Sequence, residues 1–325
     1  MKHHSIHLSP RHLCVVAAAA LLSACGGGGE DTTPKRVEIR FAAVNGTQPV
    51  ACGTRLPSVG TAGVAADVHD LRFYVSQLAL INDKGTAVPV TLDSNAWQLT
   101  QGDEAVTLID LEDASGKCAN ADNTKEMNAV VTGTVPAGTY VGLSAQMGVP
   151  ETLNHSAIAG GKAPLDIAAM AWSWQSGRKF SKIEIDPVGG ITTAPTSSNP
   201  HGGSANTFYV HLGSTGCAAK VDANGAAVKD PAGNPVYTCA APNRMAFTLP
   251  AFDASKQNVV LDIGKLFSGS NVTKDGGGPI GCMSGTTDPE CPAIFSQLQI
   301  AYGAGASGLP INGGAAQQLF SARAK

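Results

Sequence analysis

Short apolar runs broken by glycine and proline set the tightest limit on what this chain can fold into. Its 325 residues include 38 Gly and 19 Pro, and the stretches between them are mostly too short for a helical repeat. Residues 37–44 open by alternating, Val37, Ile39 and Phe41 against Glu38 and Arg40, which is the period of a half-buried strand. Residues 71–81 open the same way, with Leu71, Phe73 and Val75 opposite Arg72, Tyr74 and Ser76. Further strands are predicted at 97–100, 107–111, 128–134, 139–147, 179–185, 208–212, 244–249 and 258–263. Turn signals such as Asn82-Asp83-Lys84-Gly85, Pro136-Ala137-Gly138 and Asn224-Gly225 fall between many of them. Helix is scarce: residues 165–170 allow one or two turns and 292–300 a short helix. Residues 187–206, rich in Gly, Pro, Ser and Thr, read as one long loop. The prediction is all-β: a β-sandwich-like single domain over 36–325, with long loops, one or two short helices and disulfides.

Charge narrows the function classes. Charged residues make up 14% against the ~25% usual for soluble domains, too few for a coiled coil or helical bundle. A net charge of -3 is not that of a nucleic-acid binder, and 43% apolar residues exclude disorder throughout.

Residues 1–24 read as a lipoprotein signal peptide. Lys2 and Arg11 sit in a polar start without acids, and the apolar run 13–22 is too short to span a bilayer. It ends in Leu22-Ser23-Ala24-Cys25, which resembles a lipobox and makes Cys25 the lipidated first residue. Residues 25–35 are then the lipidated Cys and a flexible tether that starts with four glycines. The expected place is the periplasmic side of a bacterial envelope, at the outer membrane, held through the lipid anchor. Cleavage removes Lys2 and Arg11, leaving 20 basic and 25 acidic residues and a net charge of -5. Of the histidines, His69, His155, His201 and His211 remain.

Six further cysteines, Cys52, Cys118, Cys217, Cys239, Cys282 and Cys291, read as disulfides in an exported chain. Six allow fifteen connectivities; pairing in chain order is the expectation. A Cys217–Cys239 bridge would staple a hairpin, and Cys282–Cys291 would close a short loop. There is no CxxC and no Cys–His spacing of a zinc site.

There is no GxSxG, no HExxH, no P-loop and no GxGxxG ahead of a helix, no acidic pair stands out, and the chain is not expected to be an enzyme. The most unusual segment runs through Met170-Ala171-Trp172-Ser173-Trp174-Gln175-Ser176-Gly177. On an extended backbone Trp172 and Trp174 would share a face. His155 lies upstream and His211 downstream, where a strand would put it beside Tyr209. Two readings stay open on these residues: core packing of the aromatics, or a soft metal site, because imidazole and thioether suit copper, above all Cu(I).

An ordered set of segments then carries a resemblance over nearly all of the mature chain. These are Asp70-Leu71-Arg72-Phe73-Tyr74-Val75-Ser76, Gly148-Val149-Pro150, Leu153-Asn154-His155, Pro164-Leu165, Met170 to Trp174, His211-Leu212-Gly213-Ser214, Pro242-Asn243-Arg244 and Gly281-Cys282-Met283-Ser284-Gly285. Together they resemble the MbnP-type copper proteins, the metallo-mystery pair four-Cys family. The resemblance implies copper binding outside the cytoplasm. It also implies a dihaem partner of the cytochrome c peroxidase and MauG type, which oxidises the first Trp of a Trp-x-Trp motif, here Trp172, to kynurenine. Indole nitrogen is a poor donor because its lone pair belongs to the π system, whereas ring opening frees an aromatic amine. His155, His211, modified Trp172 and Met170 are the candidate ligands, with His69 and His201 in reserve; the choice of histidines is an inference beyond the motif. One departure is Arg178-Lys179-Phe180 after Gly177, where the family pattern implies an aromatic residue. The competing reading is a β-sandwich lipoprotein that uses Trp172 and Trp174 to bind carbohydrate or protein; a copper redox enzyme has no supporting sequence feature.

Overall fold

Alternation along the first strand carries directly into the architecture. The computed structural model describes residues 32–172, 177–197, 200–230 and 233–325, so Cys25, the signal peptide and Trp174 lie outside the described residues. The strands that position the site are β1 (Lys35–Asn45), β2 (Val64–Asn82), β3 (Glu104–Asp110), β4 (Val130–Val135), β5 (Tyr140–Met147), β6 (Ser181–Pro187), β7 (Phe208–Leu212), β8 (Thr215–Ala219), β9 (Tyr237–Ala241), β10 (Met245–Leu249), β11 (Gln257–Asp262) and β12 (Phe320–Ala324). β1 buries Ile39, Phe41 and Ala43 and turns Glu38 and Arg40 outward, as a period of two demands.

One sheet runs β12-β11-β1-β4, and β1 and β11 are parallel, Phe41 opposite Val259. The other is built on β2, which pairs with β3, β5 and β6; β7 extends it from β6 and β10 from β5. The sheets meet through aromatic rings. Phe41 packs edge-on to Phe73 at 6.0 Å, Phe73 lies 5.8 Å from Phe320, and Phe320 stacks on Phe247 at 4.1 Å. Phe41 and Phe320 belong to the first sheet, Phe73 and Phe247 to the second, so the fold is a sandwich. Residues Thr33–Lys325 form one compact unit.

The outer face of the second sheet is covered too. β2 changes neighbours at Tyr74: its N–H donates to the Phe180 carbonyl, and its own carbonyl accepts from the Gly148 N–H. Of the chain between those two anchors, the part at 148–172 comes over Tyr74, whose Oη donates to the Pro164 carbonyl at 2.8 Å. This cover over Tyr74, together with residues 122 and 123 against Arg72, accounts for burial on the outer face between Asp70 and Ser76, where alternation alone implied one wet face.

Among the described residues three helices form where one or two short ones were expected: the single turn α1 (Glu151–Asn154), α2 (Ile263–Phe267) and α3 (Cys291–Leu298). α2 starts on Asp262, whose carboxylate accepts the Lys265 N–H at 3.2 Å, an N-cap. The predicted turns at 165–170 shrink to a 3-10 turn at Ala168–Met170. The predicted loop at 187–206 holds two short strands, Ile191–Thr193 and Gly203–Ala205, which join Lys274–Asp275 in a small sheet. Only Ile191 is buried along the first of these, so no periodicity announced them. The disulfides Cys52–Cys118, Cys217–Cys239 and Cys282–Cys291 follow chain order. Among the described residues no helix is long and apolar enough to cross a membrane.

Candidate metal centre

Strand register gathers an unusual set of charges on the outer face of the second sheet. Arg72 stands opposite Lys182, and Lys182 opposite His211; one row along, Asp70 stands opposite Glu184 and Glu184 opposite Tyr209. Directly paired residues share a face, so six polar side chains from β2, β6 and β7 form two adjoining rows. A bulge supplies a seventh. Asp70 pairs with Glu184 and Val68 with Ile185, which makes His69 the extra residue and re-aims its ring. Its Nδ1 lies 3.2 Å from Asp186 and its Nε2 3.9 Å from Glu184.

Asp70, Arg72, Lys182, Glu184 and His211 are all at most 5% exposed. Buried charges persist only when paired and hydrogen-bonded, and these are. Arg72 grips Asp70 with Nε and Nη2, and also reaches Asn123 and the Asp122 carbonyl. Lys182 Nζ is 2.6 Å from Asp70 and 3.3 Å from Glu184. Burial alone would lower Lys182, yet Asp70 and Glu184 hold it above the usual lysine range. Burial would likewise raise Glu184, but the hydrogen bond from His211 and the charge of Lys182 keep its carboxyl below the ordinary value. An open cavity of about 340 Å³ lies over this face.

His211 is the residue whose state these neighbours decide. Burial lowers its pKa against the pull of Glu184, so the ring is neutral near pH 7. Its Nε2 is 2.6 Å from Glu184 Oε1. A carboxylate can only accept, so Nε2 carries the hydrogen and Nδ1 keeps a bare lone pair. That Nδ1 is buried and makes no hydrogen bond.

Trp172 sits close by. It is 4% exposed, on the two-residue strand Ala171–Trp172 that pairs with Gly177–Arg178. An ideal Cβ at Gly213, two residues beyond His211, would stand 2.5 Å from Trp172 Cζ3, so only glycine lets the indole lie there. The same hairpin meets His155: a Cβ at Gly177, the residue opposite Trp172, would come within 3.3 Å of His155 Cε1. His155 follows α1 and stacks on Tyr237 at 4.5 Å. Its Nε2 is 3.2 Å from Asn154 Nδ2 and 3.3 Å from Cys239 Sγ. Trp172 is thus approached through Gly213 from the His211 side and through Gly177 from the His155 side. The two histidines line different cavities, His155 one of about 640 Å³ walled by Tyr237, Glu151 and Lys162.

Arg178, the departure from the family pattern, fastens this arrangement. It is 1% exposed and donates to the carbonyls of Asn154, Ala157 and Leu165 and to Ser156 Oγ, while Asn154 Oδ1 accepts its backbone N–H. A guanidinium with five donors can satisfy one helix-end carbonyl and two loop carbonyls together, where an aromatic ring would satisfy none. Met170 is fully buried among the core side chains. His201 is exposed, whereas His69 belongs to the charged face. Burial of Trp172 removes the open ring that stacking on a carbohydrate requires.

Two groups of three potential ligands converge within 4.8 Å among the described residues, His155 with Cys217 and Cys239, and Glu112 with Cys52 and Cys118. In both, the sulfurs are joined as disulfides, and an oxidised pair offers no thiolate. Sequence reading singled out His155, His211 and Trp172 as candidates and did not single out Lys182 and Glu184 or give Asp70 a role in the site. The signal was the charged alternation of Lys182, Glu184 and Asp186, which reads as a solvent face until residues 120–122 are known to flank it.

A family model described as MbnP matches residues 34–284. The solved structure of MbnP from Methylosinus trichosporium is similar with a TM-score of 0.76 and 34% identity, covering 90% of this chain and 99% of that one. No curated protein matches the chain.

Proposed function

The chain belongs to the MbnP family, and from that premise we propose that it is an exported, lipid-anchored protein that binds and hands on copper rather than transforming a substrate. The observation that carries this reading is His211: a neutral imidazole oriented by a carboxylate, with a buried, unpartnered Nδ1. Ligating histidines characteristically donate their other ring hydrogen to such a partner. His155 and modified Trp172 complete the proposed donor set, with Met170 behind them, and nitrogen donors of this kind suit Cu(I). The bound ion would supply a closed-shell cation for storage or transfer. What the protein contributes is orientation by Glu184 and fastening by Arg178.

Native indole gives no good donor, so the reading requires oxidation of Trp172. A dihaem, peroxide-consuming partner fits that need. With two equivalents of hydrogen peroxide, the C2–C3 bond of the indole breaks, each carbon takes one oxygen, and two waters leave. Hydrolysis of the resulting formamide releases formate and frees the aromatic amine of kynurenine. At 4% exposure the ring cannot enter a partner's active site, so the electrons would leave through the protein, with Trp174 as the proposed relay.

Peptide mass spectrometry over Trp172, on protein purified from its host, is the test. The expected product is kynurenine at Trp172 with Trp174 intact. Cu(I) competition titration should then show binding lost in His211→Ala and His155→Ala. An intact Trp172 despite an active dihaem partner, or unchanged copper binding in both variants, would overturn the proposal.

A further inference from the structure

The bridge between Cys217 and Cys239 differs from the other two in where it lies. β8 and β9 form a two-stranded ribbon of their own, with Cys217 directly opposite Cys239. Both residues are half-buried, whereas Cys118, Cys282 and Cys291 are at most 1% exposed. A disulfide that solvent and a thiol can reach is the kind that exchanges. The ribbon also has anchors that do not depend on the bridge. Tyr237 stacks on His155 at 4.5 Å, the Cys239 N–H donates to Glu151 Oε1 at 3.3 Å, and the Lys220 N–H donates to the Val236 carbonyl at 2.7 Å. Opening the bridge therefore leaves the two cysteines opposite each other and beside His155.

His155 turns a ring nitrogen with a lone pair toward this bridge. Asn154 Oδ1 accepts the Arg178 N–H at 2.8 Å, which directs Nδ2 of the same amide to His155 Nε2, 3.2 Å away. An amide nitrogen only donates, so in the neutral ring Nε2 holds the lone pair. That nitrogen stands 3.3 Å from Cys239 Sγ, and one ligand nitrogen of His155 and both sulfurs lie within 4.8 Å of one another. A single ion spans such a set, since a pair of metal–sulfur bonds of about 2.3 Å each reaches about 4.6 Å end to end. The group of Glu112 with Cys52 and Cys118 lacks these features. Glu112 and Cys118 are fully buried, and a hard carboxylate there meets soft sulfur.

We propose that Cys217, Cys239 and His155 form a second, redox-gated site for Cu(I), closed while the bridge stands and opened when a dithiol reduces it. The step is thiol–disulfide exchange: a thiolate of the reductant attacks one bridge sulfur, and its second thiol resolves the mixed disulfide. The S–S bond of Cys217–Cys239 breaks, the dithiol becomes a disulfide, and two electrons and two protons pass to the cysteines. Cu(I) then displaces the two thiol protons to solvent, and the copper keeps its oxidation state. Thiolate sulfur selects soft ions. Zinc in closed protein sites takes four donors in a tetrahedron, whereas Cu(I) is satisfied by the three present here. The reverse exchange, with an oxidised dithiol protein taking the electrons, re-forms the bridge and expels the ion. Tyr237 and Thr238, next to Cys239 on β9, line the cavity of about 640 Å³ together with His155, which gives an ion a way in. The site shares His155 with the Trp172 proposal but does not rest on it, because no kynurenine is needed.

The test uses the mature chain made without a dihaem partner, so that Trp172 is unmodified. Limited reduction with dithiothreitol, followed by alkylation and peptide mass spectrometry, should label Cys217 and Cys239 before Cys52, Cys118, Cys282 and Cys291. After anaerobic desalting, titration with Cu(I) against a chromophoric chelator should show the reduced chain gaining one Cu(I) that the untreated chain does not bind. X-ray absorption at the copper edge should then show two sulfurs and one nitrogen. Cys217→Ser together with Cys239→Ser should abolish the gain. His155→Ala, which keeps both thiols, should weaken it and remove the nitrogen from the spectrum. Equal labelling of all six cysteines, or no Cu(I) gained on reduction of the wild-type chain, would overturn the proposal, and neither depends on a variant folding. A gain that survives the loss of both cysteines, or that is undiminished in His155→Ala, would overturn it as well. Because Trp172 stays intact throughout, failure here says nothing of its oxidation, and an unoxidised Trp172 in the host leaves this result standing.

Discussion

At the residue scale, Glu184 does more than neutralise a charge. It receives Lys182 and His211 together, and by accepting from Nε2 it decides which ring nitrogen of His211 stays bare. Glu184→Ala should lower Cu(I) affinity of the mature, modified protein by about 10–100-fold, and Glu184→Gln, which can still accept, should keep part of it. Competition titration checks the order, and the ¹⁵N spectrum of His211 should show the Nε2–H tautomer fixed in the wild type and mixed in the alanine variant. Asp110 makes a separate prediction. Burial pushes it up to about 8 from 3.8, with Glu112 and Asp70 adding to the rise and Arg72 opposing it. A raised acid keeps its proton in the fold, so its stabilising share is full below pH 3.8 and falls away as pH climbs to about 8. Asp110→Asn should flatten that decline in unfolding temperature between those limits, as measured by a series of thermal melts. Of these residues the sequence singled out His211, because histidine is rare beyond residue 24. Glu184, Lys182 and Asp110 were invisible in it, since a charge on alternate strand positions looks solvated until something is known to cover it.

Elements were easier to read than their partners. The strands at 37–44, 71–81, 139–147 and 208–212 were legible from period and punctuation, and the bridges follow chain order. What no local pattern announced was that β2 would run through 19 residues, switch neighbours at Tyr74 and so leave room for the 148–180 excursion that carries Trp172. Long-range pairing of this kind depends on register, which turns and alternation fix only between adjacent strands. The Cys52–Cys118 bridge, with a sequence separation of 66, ties the chain before β2 to the turn after β3. Replacing both cysteines with serine should lower stability by about 2–4 kcal/mol, seen as an earlier denaturant midpoint with the slope unchanged. The Cys217–Cys239 bridge joins β8 to β9 at the back of His155, so its loss should act on copper affinity more than on the midpoint.

Across the whole molecule, closure depends on the ends of the chain. β12 supplies Phe320, which packs on Phe247 and Phe73 from the opposite sheet, and covers β11, which in turn lies beside β1. Removing residues 319–325 should leave a chain that ordinary proteases degrade quickly, whereas the full chain resists; equal resistance would mean that β12 is dispensable. The parallel pairing of β1 with β11 sets a clock as well. The ribosome completes β1 early, but the neighbour that faces Phe41 includes Val259, so the first strand waits for most of the chain to be made. Non-local pairings of this span fold slowly. A chain that ends before residue 257 would therefore leave one edge of β1 open, and only a longer one can close it.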